Sequence, residues 1–278
     1  MLAAVAYGLT TYIPIILKAG HNSKFIALCF APWLVLAFVH VLRRPRLLSG
    51  LLFAVVLAAN LRAGHVQITY YVTFLLGLWW VVEGVAAWRE GRLAVFGQAT
   101  GWLALGSILA LLMIAQPYWP VYEYKQYTIR GGSEATGGGD GLDWDYAMGW
   151  SQAPGELVTL LIADAYGGGS PTYWGPKPFT EGPHYVGGIV LWLALLALWR
   201  RRERTTWILG AGTLLMILFS LGSYFPLLNR FMFEYFPLFD AFRVPETWLS
   251  TAAMGLALLA ALGGGWLLEQ PERSRTLR

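Results

Sequence analysis

The sequence predicts an all-α polytopic membrane protein with about eight transmembrane helices and one long extracytoplasmic loop containing short interfacial helices. Three observations predict it. First, 56% of the 278 residues are hydrophobic and only 13% are charged, where a soluble globular domain carries roughly 25% charged residues. Second, apolar runs of membrane-spanning length recur along the chain. Third, arginine clusters follow every second run. The formal charge of +4 does not point to nucleic acid, because the basic residues lie beside apolar segments, where the positive-inside rule places them. Many of the fourteen tryptophans sit at segment ends, among them Trp79, Trp80, Trp88, Trp199 and Trp266, where indoles anchor to headgroups. The single cysteine, Cys29, lies inside an apolar run, which removes disulfide and zinc chemistry and leaves a packed or lipid-facing thiol.

A bilayer core of ~30 Å needs ~20 helical residues, and candidate runs fall at 1–17, 25–42, 47–62, 67–88, 94–115, 186–199, 206–222 and 247–268. Arg43, Arg44 and Arg46 follow the second run, and Arg89 and Arg92 the fourth. Arg200, Arg201, Arg202 and Arg204 follow the sixth, and Arg273, Arg275 and Arg278 the last. One crossing per run puts all four clusters on one side. The positive-inside rule makes that side the cytoplasm, with both termini, and makes turns 18–24, 62–66, 116–185 and 223–246 extracytoplasmic. The chain thus divides into a helix block at 1–115, an outer loop at 116–185 and a second helix block at 186–278. The opening segment shows no basic n-region and no small-residue cleavage site.

Eight acidic residues against three basic ones give the loop a local charge of −5, opposite in sign to the whole chain. Its Gly131–Gly141 part is glycine-rich, while Pro154-Gly155-Glu156 opens a short apolar stretch that ends at Asp164, read as interfacial or re-entrant through Ala165. Asp164, followed by three glycines, is a candidate catalytic carboxylate held near the membrane, or a helix terminator. Asp140, Asp143 and Asp145 have the spacing of a loose divalent-cation loop suited to Mg²⁺, Mn²⁺ or Ca²⁺, or form a solvated acidic loop. Further on, Tyr173 and Trp174 could stack on a sugar while Glu181, His184 and Tyr185 hydrogen-bond to it, with Glu181 a second catalytic candidate. The competing reading has Thr180 and Glu181 capping the next helix and the aromatics packing at the interface. Basic groups on the outer side break the charge bias, and Arg62, His65 and Arg243 are candidates to hold a lipid phosphate. Arg243 could instead pair with Asp240 or Glu246. Glu83 and His40 lie near cytoplasmic helix ends and read as paired or snorkelling.

Five stretches together resemble the bacterial YfhO-like membrane proteins: Ala19 to Lys24, Arg62 to Gln67, Trp150-Ser151 with Pro154 and Glu156, Tyr173 to Tyr185, and Phe242 to Pro245. The resemblance runs over nearly the whole chain, and the Tyr173 to Tyr185 run is its most specific part. It implies a GT-C-type glycosyltransferase of the bacterial inner (cytoplasmic) membrane, using a polyprenyl-phosphate sugar donor and a cell-envelope glycan acceptor. In that chemistry a carboxylate, sometimes with Mg²⁺ or Mn²⁺, deprotonates the acceptor hydroxyl, and basic groups or metal stabilise the departing lipid phosphate. Members of the family are much longer. Their catalytic acid is expected in the first extracytoplasmic loop, whereas His21-Asn22-Ser23-Lys24 holds no carboxylate. The resemblance therefore places this chain in the middle of such a protein and carries over no catalytic base. A different function class would be a non-catalytic membrane subunit that scaffolds a complex or binds a partner through 116–185. Transport fits less well, because the helices lack clustered intramembrane charge.

Overall fold

Apolar surroundings force backbone N–H and C=O groups to pair within the chain, and helices do this segment by segment. The computed structural model, which describes residues 1–125, 127, 128 and 142–276, is accordingly all-helical, with no strand among the described residues. Its helices are α1 (Leu2–Gly8), α2 (Tyr12–Lys18), α3 (Asn22–Arg43), α4 (Leu47–Arg62), α5 (Val66–Arg89), α6 (Leu93–Lys125), α7 (Trp144–Met148), α8 (Gly188–Arg200), α9 (Arg204–Ser220), α10 (Pro226–Tyr235) and α11 (Trp248–Thr276). Four helices are long and apolar enough to cross a membrane: α3, α5, α6 and the segment Pro245–Glu269 of α11 with its preceding turn. The apolar helices α4, α8 and α9 are shorter, at 16, 13 and 17 residues. Large apolar side chains such as Trp33, Leu52, Leu112, Trp192 and Leu214 point outward, the surface of a membrane-embedded protein.

The chain forms two compact units, and neither follows the boundaries at 115 and 185 that the sequence suggests. One comprises Asn22–Tyr146 and Pro237–Phe242, the other Met1–His21, Ala147–Phe236 and Arg243–Arg278.

In the first unit α3 to α6 pack together, and small residues set the spacing because lipid gives helices no hydrophobic reason to associate. At Gly106 of α6 a Cβ would lie 2.8 Å from Gly50 O of α4. Asn60, fully buried, ties three helices. Its Nδ2 donates to Ala27 O of α3 at 2.9 Å, and its Oδ1 accepts from the Thr69 hydroxyl of α5. Helix α6 extends beyond the predicted 94–115 despite Pro117 and Pro120, and the Tyr118 hydroxyl donates to Leu61 O at 2.6 Å.

In the second unit α11 packs on α8, α9 and α1. A Cβ at Gly263 would overlap Leu193 O of α8, and one at Gly255 would overlap the Thr213 hydroxyl of α9. The predicted 1–17 run is two seven-residue helices separated at Leu9–Thr11. A Cβ at Gly264, late in α11, would meet Leu2 Cδ2 at 2.7 Å, while one at Gly182 would meet Ile15 Cδ1 at 2.7 Å. The pair α1–α2 thus runs from the C-terminal part of α11 to the segment before α8. There the Thr11 hydroxyl donates to Pro183 O, Thr11 N donates to Tyr185 O at 3.1 Å, and Tyr185 N donates to the Thr11 hydroxyl at 2.9 Å.

Gly263→Val places three extra carbons where α8 backbone lies, so the expected result is a clear loss of thermal stability in detergent, read by size-exclusion recovery after heating. Asn60→Ala is expected to cost about 1–2 kcal/mol, the range of interhelical polar contacts in membranes. A wild-type melting profile for both variants would contradict the packing described.

Candidate functional site

Glu156, Lys177 and Glu246, far apart in sequence, meet inside the second unit. Lys177 Nζ donates to Glu246 Oε2 at 2.6 Å and to Gln152 Oε1 at 3.0 Å, and lies 3.4 Å from Glu156 Oε1. The side chains of Lys177 and Glu156 are only 6% and 2% exposed, and that of Glu246 14%. The Tyr173 hydroxyl donates to Glu156 Oε1 at 2.6 Å, and the Ala153 N–H donates to Glu156 Oε2 at 3.0 Å. Burial pushes the Tyr173 phenol up, and the Glu156 carboxylate beside it pushes further in the same direction. An ammonium beside three oxygens, with the Glu156 carboxylate held by two further donors, forms a buried polar core that fixes the loop to the start of α11.

This core settles where several predicted residues go. Tyr173 points inward to Glu156, and His184 is buried and stacked on Tyr12 with ring centroids 4.2 Å apart. Both line a cavity of about 10 Å³, enough for about one water and far below a sugar. Trp174 is exposed and stacks on Tyr166 at 4.4 Å. Glu181 is exposed, and Tyr185 is joined to Thr11 through its backbone. Asp164 lies exposed in the one-turn 3₁₀ helix Ala163–Tyr166, not at the end of a longer apolar helix. Glu246, one of the two carboxylates suggested for Arg243, engages Lys177, a pairing that the sequence did not suggest.

Among the acidic triplet, Asp140 lies outside the described residues. Asp143 Oδ1 accepts from Asp145 N at 2.9 Å and Tyr146 N at 3.3 Å, capping α7. No group of three or more metal-capable side chains occurs among the described residues, so those present do not fit a divalent-cation site.

Arg62 and His65 do come together. They line a cavity of about 420 Å³ in the first unit with Gly64, Val66, Gln67, Pro117, Tyr118, Val121 and Phe242. The α4–α5 turn creates it: Gly64 adopts φ +77°, a left-handed conformation that turns the chain after α4 and sets His65 at the start of α5. Tyr118 anchors the opposite wall through Leu61 O. Arg62 makes no ion pair with a carboxylate among the described residues, and no acidic side chain lines the cavity. The result is a cationic rim above walls of Val, Pro and aromatic side chains. Such a surface suits an anion attached to an apolar body. The sequence flagged Arg62 and His65 through charge bias, but gave no sign of the α6 wall. Arg243 belongs to the other compact unit.

Lys177→Met leaves Glu156 and Glu246 buried without their shared cation. The expected destabilisation is about 3–5 kcal/mol, measured by thermal unfolding in detergent. Adding Glu156→Gln and Glu246→Gln to the same variant is expected to restore most of it. Loss in both variants to the same extent would refute the ion-triad account.

Compared with known proteins, the chain matches no family model, no curated protein and no solved structure.

Proposed function

We propose that the chain is a GT-C-like membrane glycosyltransferase, or the donor-binding part of one, moving a sugar from a polyprenyl phosphate to a cell-envelope acceptor outside a bacterial inner membrane. The supporting observation is the Arg62–His65 cavity, about 420 Å³ in volume, with a basic rim and apolar walls. A guanidinium offers a phosphate two parallel donors, and a neighbouring imidazole offers a third. Val66, Pro117, Val121 and Phe242 provide apolar surface for the first isoprene units. During transfer the acceptor oxygen bonds the anomeric carbon as the bond to the phosphate oxygen breaks, and charge gathers on that phosphate. In this reading Arg62 stabilises it. The group that takes the acceptor proton is left unassigned.

The topology of this reading has eight crossings, the first made by the interrupted pair α1–α2 and the shorter ones by α4, α8 and α9. The α3–α4 and α5–α6 turns hold Arg43, Arg44, Arg46, Arg89 and Arg92, so the positive-inside rule puts them and both termini in the cytoplasm. The cavity, at the opposite ends of α4, α5 and α6, then opens to the outer face, where lipid-linked sugars are used.

Purified protein in nanodiscs is expected to bind polyprenyl phosphate and not the uncharged polyprenol. Arg62→Gln is expected to weaken phosphate binding about tenfold or more, equivalent to ~1.4 kcal/mol, with Arg62→Lys intermediate. Equal binding of phosphate and alcohol would rule the reading out.

A further inference from the structure

Two residues other than glycine adopt positive φ among the described residues, Leu238 at +64° and Val244 at +65°. Left-handed backbone is uncommon for any residue with a side chain and a true outlier for a β-branched one, because Cβ crowds the following carbonyl. Such strain persists only where the surroundings over-determine it, and it collects at ligand clamps and active sites. Both outliers bracket one short stretch, Phe239–Phe242. Several contacts hold that stretch. Its chain neighbours on either side belong to the second unit, but Pro237–Phe242 belongs to the first. There the Tyr70 hydroxyl of α5 donates to Pro237 O at 2.8 Å, and Leu142 N donates to Asp240 O at 3.0 Å. The buried Phe239 stands edge-on to Phe74 with ring centroids 6.4 Å apart. Phe242 lies 4.9 Å from the Tyr70 ring and 6.3 Å from that of Tyr71.

What these contacts secure is the place of Phe242 on the wall of the Arg62–His65 cavity. The other described lining residues fall within 62–67 and 117–121, on α4, α5, α6 and the α4–α5 turn, so helix packing sets their positions. Phe242 alone among them comes from outside that frame. An apolar body entering beside Arg62 thus meets one wall whose place depends on a strained strap anchored to α5. An aromatic ring buries a large apolar area against such a body. Contacts already ordered before binding also avoid the entropy cost of being ordered by the ligand.

We infer that Phe242 is the specificity-determining wall of this cavity: its ring grips the apolar chain of a lipid phosphate held at Arg62, and the left-handed residues Leu238 and Val244 hold the ring in place before the ligand arrives. This rests on the proposed lipid-phosphate cavity and adds the residue that distinguishes a lipid phosphate from a small one. Leu238, Val244 and Tyr70 are positioning residues that act through Phe242.

The test uses the full chain in nanodiscs, with empty nanodiscs as blank, and two probes, farnesyl phosphate and ethyl phosphate. The quantity read by calorimetry is the preference for farnesyl over ethyl phosphate, compared between variants. Phe242→Ala is expected to lower the preference about tenfold or more, the worth of one large apolar contact, with Phe242→Leu intermediate. Val244→Gly relieves the strain and Tyr70→Phe removes the hydroxyl from Pro237 O. Each keeps the ring but frees the strap, so each is expected to lower the preference about threefold. Because glycine adopts positive φ without penalty, Val244→Gly is expected to match or exceed wild-type thermal stability. A preference that survives Phe242→Ala overturns the assignment of the wall. Higher stability of Val244→Gly with an unchanged preference overturns the role of the strain. Binding of both phosphates with no preference in wild type overturns the grip while leaving an anion site at Arg62. Folded wild type that binds neither phosphate overturns the cavity reading and this inference together.

Discussion

Within lipid, a polar group has no water to fall back on, so each must find its partner inside the protein. That constraint orders the first unit around Asn60, whose amide spends its donor on α3 and its acceptor on α5 while its own backbone belongs to α4. One short side chain thereby fixes the relative rotation of three helices, which apolar packing alone leaves loosely determined. Glycines complete the arrangement by removing side chains where backbones meet, at Gly106 against α4 and at Gly263 against α8. Serine and threonine hydroxyls inside helices, such as Ser107 on Leu103 O and Thr100 on Phe96 O, return their hydrogen bonds to their own helix.

Two cations show how the same constraint separates structure from binding. Lys177 is surrounded by Gln152, Glu156 and Glu246, and the adjoining space of about 10 Å³ leaves no room for a ligand. Its charge is consumed in holding the segment before α8 to the start of α11. Arg62 stands at the rim of a cavity more than an order of magnitude larger, with aromatic and aliphatic walls and no carboxylate among its lining residues. Lys177 thus has its charge committed to internal acceptors, whereas Arg62 makes no ion pair with a carboxylate among the described residues.

The long apolar runs were the legible part of the sequence. The predicted 25–42 and 67–88 appear as Asn22–Arg43 and Val66–Arg89, because twenty-odd apolar residues have few options other than a helix. The reading of α6 stopped short, because the apolar run ends near 115. The helix continues through Pro117 and Pro120 to Lys125, with Tyr118 bonded to α4 and Trp119 to Glu123. The 1–17 run concealed the break at Leu9–Thr11, since what stabilises it is the distant Pro183–Tyr185 backbone. Charge bias drew attention to Arg62 and His65, which line one cavity. The Glu156–Lys177–Glu246 cluster had no local signature at all, its members being joined only by tertiary folding, and so Tyr173 and His184 were read as facing a ligand when they face that core and Tyr12.

The clasp of Thr11 on the segment before α8 has a consequence for biogenesis. Its hydroxyl and its acceptor on Pro183 are separated by 172 positions. Ribosomes add about 5–20 residues per second, so the short helices α1 and α2 wait on the order of ten to thirty seconds for their partner to be made. Through that interval neither α1 nor α2, at seven residues each, is long enough to be stable alone in the bilayer. The insertion machinery, or a chaperone at its exit, must shelter this segment until the second half of the protein emerges.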